Sequence, residues 1–346
     1  MLILLHWKSF LHYIQWGSCG TGVFLNFILI LLIIFRSPRQ LGAYKYLMIY
    51  ISVFEICYCI LDAIIEPNIF SQGPAFIVFR YFEGSYIGRE QGFLLIVIYC
   101  GLYAMSIALF AIHFIYRYGA SDNVFRKKYL EGRKKLGALF LIPIFYFFWW
   151  ALVIYFTYQT SKKTDDFVRA AFFRDFDTNI EDVSYGIAQF YTIDNKNQTH
   201  PIWLTFFGMS NMWFMMTSSS LCVFYFGIKC YKRITKALKN SKMSSYYARS
   251  IQQQLFQALV MQTLIPVVLM YIPVGILFFF PMFNINVGFL SSFVAATIAI
   301  YPAVDPLPTM FIVENFRRTI LCKNFLFSNG ATVRIFRRLL ERDEQY

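Results

Sequence analysis

The chain is short of charge, and of acid above all. Charged residues make up 15% of its 346 positions, and 19 Asp and Glu stand against 32 Lys and Arg. Hydrophobic residues reach 58% and aromatic residues 20%. A soluble fold is excluded, because a single core of this size cannot hide so much apolar surface. Histidine is scarce and scattered, at His6, His12, His113 and His200, and neither HExxH nor GxSxG occurs. No metal site, cofactor or enzymatic activity is therefore expected. The apolar start Met1–Leu5 lacks a basic region and a small-residue cleavage site, so the first long apolar run is expected to direct insertion itself.

What the chain has instead is seven long apolar runs, near 13–35, 46–65, 93–116, 136–158, 202–228, 255–280 and 287–313. A helix of about 20 residues crosses a hydrocarbon core of roughly 30 Å. The gaps between runs alternate in charge. One set (before 13, 66–92, 159–201 and 281–286) carries eight Lys and Arg, and the other carries 24. Basic loops stay in the cytoplasm, so an extracellular N-terminus and a cytoplasmic C-terminus are expected. The net charge of +13 then reflects topology and attraction to anionic membrane lipid, with no nucleic acid as partner. The fold class is an all-α bundle of seven transmembrane helices, the arrangement of a heptahelical receptor. It spans 1–325 and is followed by a basic cytoplasmic tail at 326–346.

None of the seven cysteines, Cys19, Cys57, Cys59, Cys100, Cys222, Cys230 and Cys322, falls in an outer loop, so no disulfide is expected on the oxidising side. The outer loop 159–201 is long enough to fold over the bundle mouth or to stay solvated. It holds the only glycosylation sequon, Asn197-Gln198-Thr199. In 229–254, Lys232, Arg233, Lys236, Lys239 and Lys242 recur every three or four residues, predicting that the fifth helix continues beyond the bilayer. After the last span, Glu314 to Phe327 reads as an amphipathic helix bearing Cys322, a candidate for palmitoylation.

Acids inside the spans are Glu55, Asp62 and Asp305. Such groups are costly in a bilayer and mark functional positions by default. Asn26, Glu55 and Asp305 lie ten to twelve residues from the basic boundary of their spans, and so at similar depth. A polar layer joining spans one, two and seven is expected there, either as a static network or as a switch that binds a proton or cation. Asp62 lies near the outer end of span two, facing the ligand cavity, outer-loop bases or headgroups. Pro266 and Pro273 in span six, and Pro302, Pro306 and Pro308 in span seven, predict kinks. Candidate ligand contacts in the outer halves of the spans are Tyr99, Tyr103, Asn211, Met215, Met270, Tyr271 and Ser292, with Asp62. This aromatic, Met-rich set suits a small neutral molecule.

Three segments carry a family resemblance: Ser37-Pro38-Arg39-Gln40-Leu41-Gly42-Ala43-Tyr44-Lys45-Tyr46-Leu47, His113-Phe114-Ile115-Tyr116-Arg117-Tyr118, and Pro302-Ala303-Val304-Asp305-Pro306-Leu307-Pro308. In that order over seven spans, the sequence resembles the nematode serpentine chemoreceptor class r, or Str, from about residue 10 to 325. The resemblance implies a G-protein-coupled receptor for odorants or other small chemicals, with a heterotrimeric G protein as partner, in the plasma membrane of sensory neurons and their cilia. Tyr116-Arg117-Tyr118 resembles the Asp-Arg-Tyr motif of rhodopsin-like receptors with Tyr in place of the acid, so Arg117 lacks the usual local ion pair. Asp305-Pro306 resembles the start of their span-seven motif. The alternatives are an odorant-gated channel, whose N-terminus would lie inside, and a transporter, for which no internal repeat is seen.

Overall fold

A computed structural model describes residues 7–37, 44–82, 87–194, 196, 198–239 and 246–321. Long helices dominate it: α1 (Trp7–Arg36), α2 (Tyr44–Ile65), α3 (Arg89–Ser121) and α4 (Arg133–Thr157). A shorter helix, α5 (Lys162–Phe176), follows, then α6 (Trp203–Lys239), α7 (Tyr246–Pro266) and α8 (Ile272–Met282). The last three helices are α9 (Phe293–Val304), α10 (Pro306–Ile312) and α11 (Glu314–Ile320). Among the described residues, six helices are long and apolar enough to cross a membrane. The remaining long one, α6, extends over 37 residues. Ser210, Asn211 and the run from Thr217 to Ser220 dilute its apolar character. Its course past 228 to Lys239 agrees with the basic extension expected from the recurring lysines, of which Lys242 lies outside the described residues.

Helix α3 packs against α2, α4 and α6, and α1 closes the ring between α2 and α9. Side chains such as Phe24, Phe145, Phe148, Phe207 and Phe224 stay exposed on the outer surface. In a hydrocarbon environment that exposure carries no penalty, and the helices satisfy their own backbone groups.

Proline breaks two spans where expected. Between α7 and α8 the backbone widens into a π turn at Val267–Tyr271. Pro273 has no N–H to continue the ladder there, and π turns accommodate such a missing donor. In the seventh span the helix breaks at Asp305, between α9 and α10. Pro306 lacks the N–H that would bond the Pro302 carbonyl. Asn26 Nδ2 on α1 donates to that carbonyl instead, at 3.0 Å. The two helices approach closely because Gly22 stands one turn before Asn26. A Cβ at Gly22 would lie 3.5 Å from the backbone of Pro302 and Ala303.

The gaps 66–92 and 159–201 contain more order than loops. Strands β1 (Asn68–Gln72), β2 (Ala75–Tyr81) and β3 (Val183–Gln189) form an antiparallel sheet in that order, with Ile77 opposite both Phe70 and Ile187. Gly73 makes the hairpin turn at φ +52, a left-handed conformation that glycine adopts without strain. Short strands β4 (Tyr191–Ile193) and β5 (Thr199–Pro201) pair beside it. Helix α5 starts at a capping box of Ser161 and Thr164 and lies over the sheet. Phe70, Ile77, Phe79, Val168, Phe172, Ile180 and Tyr185 form a second hydrophobic core between them. The sheet caps one end of the bundle. The opposite end carries Arg36, Lys45, Arg126, Lys229 and Arg233. Asn197, Cys322, part of the 37–47 motif and the tail lie outside the described residues, and the amphipathic helix after the last span is described only as Glu314–Ile320.

Candidate functional site

Beneath the sheet lies an enclosed apolar cavity. Its volume is about 50 Å³, enough for a few waters or a small organic molecule. Tyr99, Tyr103, Trp150, Met212 and Phe278 line its walls, and Ile69, Phe76 and Val78 of the hairpin form its roof. The Tyr103 hydroxyl is buried and has no hydrogen-bond partner, while the Tyr99 hydroxyl meets Tyr58 and Asp62. An apolar chamber with a few unpaired polar groups is the usual form of a small-molecule site. A wider groove of about 570 Å³, walled by Arg89, Gln159, Lys162 and Asp165, opens to solvent and lacks that enclosure.

Of the candidate contacts read from the sequence, only Tyr99 and Tyr103 line the cavity. Asn211 turns away from it, half-exposed, and bonds the Phe207 carbonyl at 2.9 Å. Its neighbour Met212 takes the wall position. Met215 and Met270 are buried in the bundle core one level away. Tyr271 sits in the π turn and meets Ser219 Oγ at 3.1 Å. Ser292 is buried with Oγ unpartnered, off the cavity. Asp62 is 2% exposed, so it reaches no headgroup. It lies against Tyr99, behind the wall. The roof residues escaped the sequence reading because their gap reads as a loop. A signal was there: the β-branched and aromatic run Ala75–Tyr81 between turn residues.

An aromatic series leads from the cavity into the bundle. Tyr99 stacks on Tyr58 with centroids 6.1 Å apart. Tyr58 meets the edge of Tyr301 at 6.5 Å. The Tyr301 hydroxyl donates to Glu55 Oε1 at 3.1 Å. Glu55 touches Asp305 and Asn26, and Asp305 Oδ2 accepts from Gln262 at 3.1 Å. Asn26, Glu55 and Asp305 are thus brought into one buried polar layer, which Gln262 and Tyr301 join from spans six and seven. Gln262 was missed because Gln257, Gln262 and Thr263 share one apolar run, and the run gives no hint of which of them faces inward.

At the basic end, Arg117 is 2% exposed and its guanidinium lies 5.5 Å from the Tyr44 ring centroid. Tyr44 in turn contacts Tyr116 and His113. The acid absent before Arg117 has a counterpart five residues after it. Asp122 accepts from the backbone N–H groups of Val124 and Phe125 and from Tyr118. It also pairs with Arg233 of α6 at 2.8 Å, while Arg233 Nε donates to the Ser121 carbonyl at 2.6 Å. The Phe125 N–H, reinforced by Tyr118, Arg233 and Val124, holds the Asp122 carboxyl below its ordinary pKa. At the sheet end, Asp165 of α5 is clasped by Arg89 and the Tyr185 hydroxyl. Burial raises the Asp165 pKa, but those two partners together bring it below its ordinary value.

Residues 11–321 match the profile described as serpentine type 7TM GPCR chemoreceptor Str. Among similar proteins, G-protein coupled receptor str-217 of Caenorhabditis elegans is 38% identical over 302 residues, covering 87% of this chain and 86% of the relative. Serpentine receptor class r-10 of the same nematode is 32% identical, covering 90% and 91%. The Caenorhabditis briggsae protein of that name is 31% identical, covering 85% and 84%.

Proposed function

The chain belongs to the Str family of serpentine seven-transmembrane G-protein-coupled chemoreceptors, and from that premise we propose that it detects a small, neutral, odorant-like molecule in the cavity beneath the sheet. The observation that carries the reading is an apolar chamber lined by buried side chains, with one unpartnered tyrosine hydroxyl, that of Tyr103, among them. That hydroxyl can donate to or accept from a ligand. The cavity's size limits the ligand to a few heavy atoms beyond what small repacking permits.

In this reading the sheet end faces outward and the basic end faces the cytoplasm, as the 24 to eight division of Lys and Arg supports. Occupancy shifts Tyr99 and Tyr103, and the Tyr58–Tyr301 contacts carry the shift to the polar layer. The break at Asp305 and the π turn at Val267–Tyr271 let the inner ends of spans six and seven move. Arg117 and the basic extension of α6 then meet a heterotrimeric G protein. The receptor resides in the plasma membrane, with sensory cilia the site that the family suggests. Asn197 carries glycan, and Cys322 is a site for palmitate.

A panel of small volatiles, applied to cells expressing the receptor with a promiscuous G protein, tests this reading. A response abolished by Val274→Phe, which fills the cavity, supports it. A response that survives this substitution unchanged at equal surface level places the ligand elsewhere.

A further inference from the structure

The two acids of the polar layer present a separate problem. Glu55 and Asp305 are 1% and 2% exposed, and their carboxyl groups are in contact. Two like charges in contact away from water repel strongly, so such a pair keeps a proton or takes a cation.

The groups around the pair decide between these. Helix α1 contributes Asn26, which is uncharged, and α7 contributes Gln262, also uncharged. From α2 come Tyr44, Tyr58 and Cys59, and from α9 comes Tyr301. These hydroxyls and the thiol are neutral at physiological pH in their ordinary state. From α3 come His113 and Arg117. His113 lines a small void beside the pair, with its Nε2 unpartnered. Arg117 lies against Tyr44. Among the described residues, neither carboxyl has an ion pair with Lys, Arg or His. Tyr301 and Asn26 reach Glu55 and Gln262 reaches Asp305, while Asp305 Oδ1 receives no donor. The void holds about 10 Å³, at most one water, too little for a cation with its hydration shell. The Ser52 and Thr309 hydroxyls line it as well, but a neutral hydroxyl does not remove the repulsion between two charged carboxyls, whereas a proton held on one of them does.

We infer that Glu55 and Asp305 form a proton-binding site, in which one proton shared between the two carboxyls ties span two to the break in span seven. The inference is independent of the ligand reading above. Parting the two acids exposes each to other donors and releases the proton, so low pH favours the closed arrangement and rising pH opposes it.

Infrared difference spectroscopy of the purified receptor in lipid nanodiscs tests the site without an agonist. An Asp62→Asn background removes the other buried acid within the spans. At neutral pH, a protonated-carboxyl C=O stretch that shifts in D₂O is expected, unchanged when Na⁺ replaces a large organic cation. Glu55→Gln should abolish or displace the band. Asp305→Asn should do so too, which keeps the test decisive if one variant folds poorly. His113→Gln should leave it in place. Absence of the band, its loss on adding Na⁺, or its persistence unaltered in both acid variants overturns the inference. A Na⁺-dependent loss would identify a cation as the occupant instead.

Discussion

The side-chain amide of Asn26 replaces the backbone donor that Pro306 lacks, bonding the Pro302 carbonyl at 3.0 Å across two helices. The first and seventh spans are therefore joined at the point where the seventh is weakest. In a membrane interior no water is at hand to take that carbonyl if the amide is removed.

Asn26→Ala should destabilise the receptor by about 1–3 kcal/mol, the usual cost of leaving a buried polar group unpaired. Pro306→Ala restores an N–H to the same carbonyl. Combining the two should recover part of the loss, giving a positive interaction in a double-mutant cycle. Thermal unfolding in nanodiscs measures all four proteins. Strict additivity would show that the two residues do not share a carbonyl.

Arg117→Ala should reach the cell surface and keep ligand potency while losing most agonist-driven G-protein activation. The buried guanidinium rests on Tyr44 here, ready to exchange that ring for another partner. Surface staining and nucleotide exchange on the G protein measure the two properties separately. Normal exchange at equal surface level would remove Arg117 from the coupling mechanism.

Asp122→Asn and Arg233→Gln should each raise basal signalling, by up to roughly fivefold, because they cut the tie between α3 and the α6 extension. The limit follows from the ~1 kcal/mol typical of a screened, partly exposed ion pair. Reversing the pair, as Asp122→Arg with Arg233→Asp, should restore part of the restraint. Asp122 titrates below its ordinary value, so its contribution is present above the unfolded carboxyl pKa of about 3.9 and fades only as pH falls further. Basal signalling that depends on this pair should therefore be flat across neutral and mildly acidic pH.

Tyr103→Phe should weaken the response to a polar ligand by roughly fivefold, the value of one hydrogen bond of about 1 kcal/mol, and leave surface expression unchanged. Val274→Phe should cost roughly fivefold or more in potency for any ligand of the cavity, as overpacking costs about 1–3 kcal/mol. Dose–response curves at matched surface level distinguish the two. A Tyr103→Phe receptor indistinguishable from wild type for every polar agonist would remove its hydroxyl from ligand recognition.

Epitope tags at the two ends should stain differently, the N-terminal tag on intact cells and the C-terminal tag only after permeabilisation. Asn197→Gln should abolish a glycosidase-sensitive mobility shift. A C-terminal tag visible without permeabilisation would reverse the orientation.

The spans were legible because long apolar runs need no knowledge of tertiary structure. The polar layer was legible for a related reason: acids are so rare in this chain that Glu55 and Asp305 stand out, and distance from the basic boundary sets their depth. The cavity was much less so. Its wall depends on which side of each helix faces inward, and one residue of rotation separates Met212 from Asn211. The Asp122–Arg233 pair joins segments far apart in sequence, so nothing local announces it. The sheet was hidden because its strands are short and its gap lies between louder apolar signals.

Strand β2 alternates. Phe76 and Val78 look down into the cavity, while Ile77 and Phe79 look up into the core beneath α5. Successive residues of a strand point to opposite faces. The lower face can therefore vary in size and polarity without unseating the upper face that holds the roof in place. One seven-residue ribbon keeps tuning and folding on separate sides. Under the proposed reading, single substitutions at alternate positions change what the receptor detects, with no accompanying repair to the sheet or to α5.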